Sequence, residues 1–173
     1  MNGYFGWRGK KGWNEGGDAM RLRNAVGLAA LVLATAVTSP AQEQNVKIDA
    51  LPAAVKQTVL EVSQGVKLRG LTREVEKGET FYEAELHVSG HTRDVIIDAS
   101  GAIVLIEEEV DWSAVPETVR AAIEKAARGR RILLVETLTR NDKIEAYEAH
   151  VRKGWWKEME IKVDPEGNPI VEK

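Results

Sequence analysis

The side chains best equipped for chemistry are the three histidines, His87, His91 and His150. Two of them close short triplets, Glu85-Leu86-His87 and Glu148-Ala149-His150. Residues two apart on a β-strand share a face, so each triplet would set a carboxylate beside an imidazole. That donor set suits zinc or copper. The same spacing is common on solvated polar strand faces, and this plainer reading is the expectation: no metal and no cofactor. Trp155-Trp156 is the other conspicuous pair. In a regular strand one of the two points away from the core. An outward Trp156 flanked by Arg152 and Glu158 would resemble the anchors found in binding hot spots. Packing at a strand end is the competing explanation, and both stay open. Trp112 reads as structural.

No catalytic constellation assembles. There is no Gly-x-Ser-x-Gly elbow, no phosphate-binding glycine loop and no His-Glu-x-x-His. Carboxylates are plentiful, but no pair stands in an apolar setting that would raise a pKa. The chain has no cysteine, which removes disulfides, thiol chemistry, Cys-ligated metals and a lipoprotein anchor. A non-enzyme is expected.

The elements that must position these residues come in two copies. Leu51-Pro52-Ala53-Ala54-Val55 and Val115-Pro116-Glu117-Thr118-Val119 open the halves at an offset of 64. Tyr82-Glu83-Ala84 then matches Tyr147-Glu148-Ala149, and Asp98-Ala99-Ser100-Gly101 matches Asp164-Pro165-Glu166-Gly167. Self-similarity at a fixed period marks one supersecondary unit used twice. Each copy begins with apolar residues at helical spacing: Leu51, Val55, Val59 and Val62, then Val115, Val119, Ile123 and Ala126. Pro52 and Pro116 suit a helix's first turn, and Gly65 and Gly129 a left-handed cap after its end.

After each helix the period falls to two. The first copy offers strands over 67–76, 80–88, 92–98 and 102–106, and the second over 131–139, 143–152, 155–164 and 169–172. The residues 107–113 link the copies. Tyr82, Ala84, Leu86, Val95 and Ile97 share one face, as do Tyr147, Ala149, Val151, Ile161 and Val163. Glu83, Glu85, His87, Asp94 and Ile96, with Glu148, His150, Arg152, Trp156, Glu158, Glu160 and Lys162, fall on the other. The expected fold is α+β: two tandem α-β-β-β-β units, antiparallel, with helices on one face and the other face polar and open to solvent.

The front of the chain reads differently. Arg21 and Arg23 precede an uninterrupted apolar run from Ala25 to Val37. As a helix this would reach about 20 Å, short of a bilayer core of roughly 30 Å. Ser39-Pro40-Ala41 supplies small residues for cleavage before Gln42. Residues 20–41 therefore read as a signal peptide, and residues 1–19 as a mis-called or disordered extension. The copies occupy 42–110 and 111–173. Five of the 24 basic and two of the 27 acidic residues lie before Gln42, so the processed chain would carry a net charge of −6. With no basic stripe, nucleic acid is a poor partner.

With its Leu51-Pro52 and Val115-Pro116 helix openings, Tyr-Glu-Ala second strands and Asp…Gly turns, nearly the whole processed chain resembles the PepSY family, in its PepSY-like, β-lactamase-inhibitor-like branch. The resemblance implies a periplasmic or secreted, non-catalytic domain that binds or inhibits another protein. PepSY domains occur in propeptides of thermolysin-like proteases, so a peptidase is one candidate partner. The tandem arrangement is similar to a secreted β-lactamase inhibitor protein, which binds through its open sheet face. That inhibitor has disulfides and this chain has none, so activity against β-lactamase does not carry over. The expected binding face is Glu83, Glu85, His87, Asp94, His150, Arg152, Trp156 and Glu158. The alternative function is a periplasmic small-ligand or metal-binding protein. No membrane insertion is expected after signal cleavage.

Overall fold

Alternating apolar residues must be covered, and here two amphipathic helices cover one face of a single sheet. The computed structural model describes residues 43–155 and 157–171. The expected signal peptide, the extension before it, and Trp156 lie outside the described residues. The strands are β1 (Gln44–Asn45), β2 (Lys67–Glu76), β3 (Glu79–Val88), β4 (His91–Asp98), β5 (Ile103–Glu109), β6 (Ile132–Arg140), β7 (Lys143–Lys153) and β8 (Lys157–Val163). The helices are α1 (Ala53–Val62) and α2 (Glu117–Ala127). All eight strands form one antiparallel sheet whose spatial order follows the chain.

Each helix is started and stopped by local chemistry. Pro52 and Pro116 cap the N-termini at φ −54° in both cases, so their missing N–H groups cost no helical bond. The caps after their ends are not the expected glycines: Ser63 ends α1 at φ −90°, and Arg128 ends α2 in the left-handed region at φ 52°, its N–H donating to Glu124 O, with Gly65 and Gly129 just beyond at positive φ. Val55 and Val59 of α1 are fully buried against Leu71, Tyr82, Ala84, Leu86, Val95 and Ile97. Val119 and Ile123 of α2 are fully buried against Val135, Tyr147, Ala149, Val151, Ile161 and Val163. Trp112, in a short 3-10 turn before α2, packs on this second cluster, as its structural reading requires.

Several expectations need correction. Residues 107–109 are not linker: they extend β5, and Ile106 to Glu109 pair with Thr139 to Glu136 of β6. Backbone groups at that junction are thereby hydrogen-bonded within the sheet. Gln44 and Asn45 pair with Arg73 and Thr72 although their sequence shows no strand pattern. Among the described residues of the last expected strand, 169–172, the pairing is a single bridge between Val163 and Pro169, beside which the Ile170 N–H donates to the Lys162 carbonyl at 2.9 Å. Lys153 ends β7 and Trp155 lies in a turn after Gly154, whose φ is +80°, so β8 starts only at Lys157. Among the described residues, no helix is long and apolar enough to cross a membrane.

Candidate functional site

Strand alternation places the candidate residues on the sheet face turned away from the helices. Glu83, Glu85 and His87 alternate with the core residues Tyr82, Ala84 and Leu86, and His150 alternates with Ala149 and Val151. Their direction is as expected. Their exposure is not. Glu83, Asp94 and His150 are buried, and Glu85 and His87 are half-buried. Only Arg152 and Glu158 are exposed, and Trp156 lies outside the described residues.

The correction has a physical basis. Alternation reports direction, whereas exposure depends on what flanks a side chain across the sheet. Strands lie about 4.8 Å apart, so a residue in a middle strand has close neighbours on both sides. On this face Ile96 is opposite Glu83 and Leu105 is opposite Ile96. Leu138 is opposite Glu107 and Ala146 opposite Leu138. These apolar residues are all buried, so the face is mixed rather than polar.

Three acidic residues cross the sheet in register, Glu85 opposite Asp94 and Asp94 opposite Glu107. The Glu85 carboxylate folds over Gly70, its partner on β2; a Cβ added at Gly70 would sit 2.8 Å from Glu85 Oε1. Thr72 Oγ1 lies 3.4 Å from Glu83 Oε2 and donates to it. Near the sheet's first edge, burial pushes Glu74 above the ordinary carboxylate range, reinforced by the charges of Glu76 and Glu43.

A second row brings chemistry together. Glu109 is opposite Glu136, Glu136 opposite Glu148, and Glu148 opposite Lys162. His150 stands two residues beyond Glu148 on the same face. Its Nε2 is 3.2 Å from Glu136 Oε2 and 3.5 Å from Glu148 Oε1. Lys162 Nζ is 2.8 Å from the other oxygen of Glu148. Glu136, Glu148 and His150 are 1%, 4% and 4% exposed. Burial opposes the charge on His150, but Glu136 and then Glu148 outweigh it and push the imidazole up to about 10. Burial also opposes the Glu148 carboxylate, yet His150 and Lys162 hold it below its ordinary value. His150 and Lys162 thus stand against the carboxyl groups of Glu136 and Glu148. Glu109 is turned aside: its Oε2 accepts from the N–H and hydroxyl of Thr92, at 3.1 and 3.2 Å.

Sequence reasoning singled out Glu148 and His150 but not Glu136. The signal was hidden by a bulge. Asn141 and Asp142 form the β6–β7 turn, so Arg140 pairs with Lys143. Counting back without interruption puts Glu136 opposite Tyr147. A register shift between Leu138 and Thr139 puts it opposite Glu148 instead.

No family model matches this chain, and no curated protein matches it. Solved structures do share the fold. A DUF2874 family protein from Bacteroides uniformis superposes with a TM-score of 0.55 at 17% identity, covering 69% of this chain and 86% of its own. A protein from Bacteroides eggerthii described as periplasmic gives 0.56 at 15% identity, covering 70% and 86%. A BLIP-like protein from Bacteroides fragilis gives 0.50 at 18% identity, covering 71% and 85%. At these identities the likeness is one of fold: an antiparallel sheet backed by two helices.

Proposed function

We propose that this protein is an exported, periplasmic, non-catalytic module that binds another protein, with the β7–β8 turn at the centre of its contact surface. The observation that carries this reading is Trp155, which is 81% exposed. It lies outside both hydrophobic clusters, and tryptophan is the residue type most enriched where binding energy concentrates. Arg152 and Glu158, opposite one another on β7 and β8, flank the turn as polar rim. Trp156, the anchor expected from the sequence, lies outside the described residues, so this reading rests on its neighbour Trp155.

Export is supported by the apolar run 25–37 with its small-residue cleavage signal, and by the periplasmic description of the Bacteroides eggerthii neighbour. A binding role is supported by the likeness to a BLIP-like protein and by the lack of a catalytic motif in the sequence. The packing of α1 on β2–β5 and of α2 on β6–β8 supports descent from two PepSY-like copies. A peptidase is the partner class that the PepSY resemblance favours.

The test is a photo-crosslinking amino acid placed at position 155 in cells, compared with one at Leu60, which is 52% exposed on α1. The expected result is a discrete crosslinked partner from position 155 and none from position 60. Equal crosslinking from both positions, or none from either, would remove the β7–β8 turn as the binding surface.

A further inference from the structure

His150 Nε2 lies 3.2 Å from one carboxylate oxygen and 3.5 Å from another, and neither contact has hydrogen-bond geometry. An imidazole kept only to donate one hydrogen bond would point along a single line, since a buried donor gains most from a well-aligned acceptor. Here a 4% exposed side chain aims its nitrogen at the space between two acceptors.

That spacing has a chemical meaning. Zinc bonds to histidine nitrogen and carboxylate oxygen are about 2.0–2.2 Å, and its preferred geometry is tetrahedral. Ligand atoms on such a tetrahedron are separated by about 3.3–3.6 Å, which follows from those bond lengths. The two nitrogen–oxygen separations straddle the lower end of this range. All three donor atoms of Glu136, Glu148 and His150 lie within 4.8 Å of one another. We propose that these three residues form a zinc-binding site, with water or an incoming ligand in the fourth position.

The surrounding structure fits this assignment. The three ligands stand on adjacent strands, fixed by the Glu136–Glu148 pairing and by the two-residue spacing from Glu148 to His150. Ligands on a sheet interior hold their geometry better than ligands on loops. Lys162 engages Glu148 Oε2 and leaves Oε1 turned toward His150. Groups just outside a metal's ligands commonly orient them in this way. One nitrogen and two oxygen donors suit zinc better than calcium, which takes 6–8 oxygens. This inference does not depend on the β7–β8 turn being a protein-binding surface.

The experiment is a calorimetric titration of the purified full-length protein with zinc chloride, with calcium chloride as comparator. One zinc ion per chain is expected, and no calcium binding at the same concentrations. His150→Gln and Glu136→Gln should each weaken zinc binding at least tenfold, while His87→Gln and His91→Gln leave it unchanged. Circular dichroism and melting of each variant establish that it is folded. A second readout needs no variant: cobalt(II) bound to the native protein should show the intense visible absorption of a tetrahedral site. Absence of saturable zinc binding, absence of that cobalt band, or binding that survives both His150→Gln and Glu136→Gln would reduce the cluster to an ion-pair network.

Discussion

Gly101 lies directly against Ala54: a Cβ added at Gly101 would stand 2.9 Å from the Ala54 carbonyl carbon. The β4–β5 turn thus presses on the first turn of α1, and Thr58 Oγ1 ties the two by donating to the Gly101 carbonyl at 2.6 Å. Gly167 meets α2 in the same manner, with Thr118 O 2.9 Å from its would-be Cβ. Both glycines have positive φ, so each position excludes a side chain twice over, by backbone conformation and by contact.

Those two effects can be separated. Gly78 has φ +86° but nothing within 4 Å of an added Cβ, whereas Gly101 has φ +91° and the Ala54 backbone in the way. Gly78→Ala should cost about 1–2 kcal/mol through left-handed strain alone. Gly101→Ala should cost at least about 1 kcal/mol more, because the helix must be pushed off the sheet. Denaturant midpoints of the two variants measure the difference, and equal losses would mean that α1 shifts freely.

Acid should loosen the same turn. Asp98 Oδ1 accepts from the N–H and hydroxyl of Ser100, at 2.8 and 2.6 Å, and from the N–H of Ala102 at 3.0 Å. The Ser100 hydroxyl, helped by the backbone donors, holds Asp98 below its ordinary 3.8. A carboxyl whose folded value is depressed contributes stability above its unfolded value and loses it as pH falls through the folded one. Asp98→Ala should therefore lower the melting temperature at pH 7. The gap from the native protein should narrow below about pH 3.8 as the native Asp98 takes up its proton. A gap that stays constant from pH 7 to pH 3 would show that the turn does not depend on the charge.

What the sequence makes legible here is whatever repeats at short range. The spacing of Val55 with Val59 and of Val119 with Ile123 gives both helices and their buried faces. The Asp98…Gly101 and Asp164…Gly167 turns announce themselves by residue type. Exposure was lost because it is a property of neighbours: nothing in the run from Tyr82 to Val88 reports that Ile96 will stand opposite Glu83. Glu136 was lost because one bulge between Leu138 and Thr139 decides which β7 residue it meets. The strand formed by Gln44 and Asn45 was lost because its pairing with Thr72 and Arg73 is a backbone event that needs no side-chain pattern.

The helix positions Val59 and Ile123 are both fully buried, one in each cluster. Val59→Asp and Ile123→Asp should each be severely destabilising, since an unpaired buried carboxylate costs several kcal/mol against a total of roughly 5–15. Ile123→Ala should be milder, at about 2–5 kcal/mol, because it leaves a cavity but no charge. Thermal melts monitored by circular dichroism would rank the three. A native-like melting temperature for either aspartate variant would contradict the burial of the helix face against the sheet.

Trp155 provides the opposite case, a large side chain whose removal should cost the fold little. It sits after Gly154 in the β7–β8 turn, outside both hydrophobic clusters. The Arg152–Glu158 pair beside it is long, at 3.9 Å, and both side chains are at least a third exposed. A surface pair of that kind contributes at most about 1 kcal/mol, so the turn is not anchored by it. Trp155→Ala should leave the melting temperature within about 2 °C of native, as a surface change of under 0.5 kcal/mol does in a domain of this size. It should nevertheless weaken binding to a crosslinked partner by about 2 kcal/mol or more, close to thirtyfold, if that partner buries the ring. Arg152→Ala should weaken binding less, because a rim charge contributes mainly to the rate of encounter. A large drop in melting temperature on removing Trp155 would make the ring structural, and unchanged affinity would place the interface elsewhere on the protein.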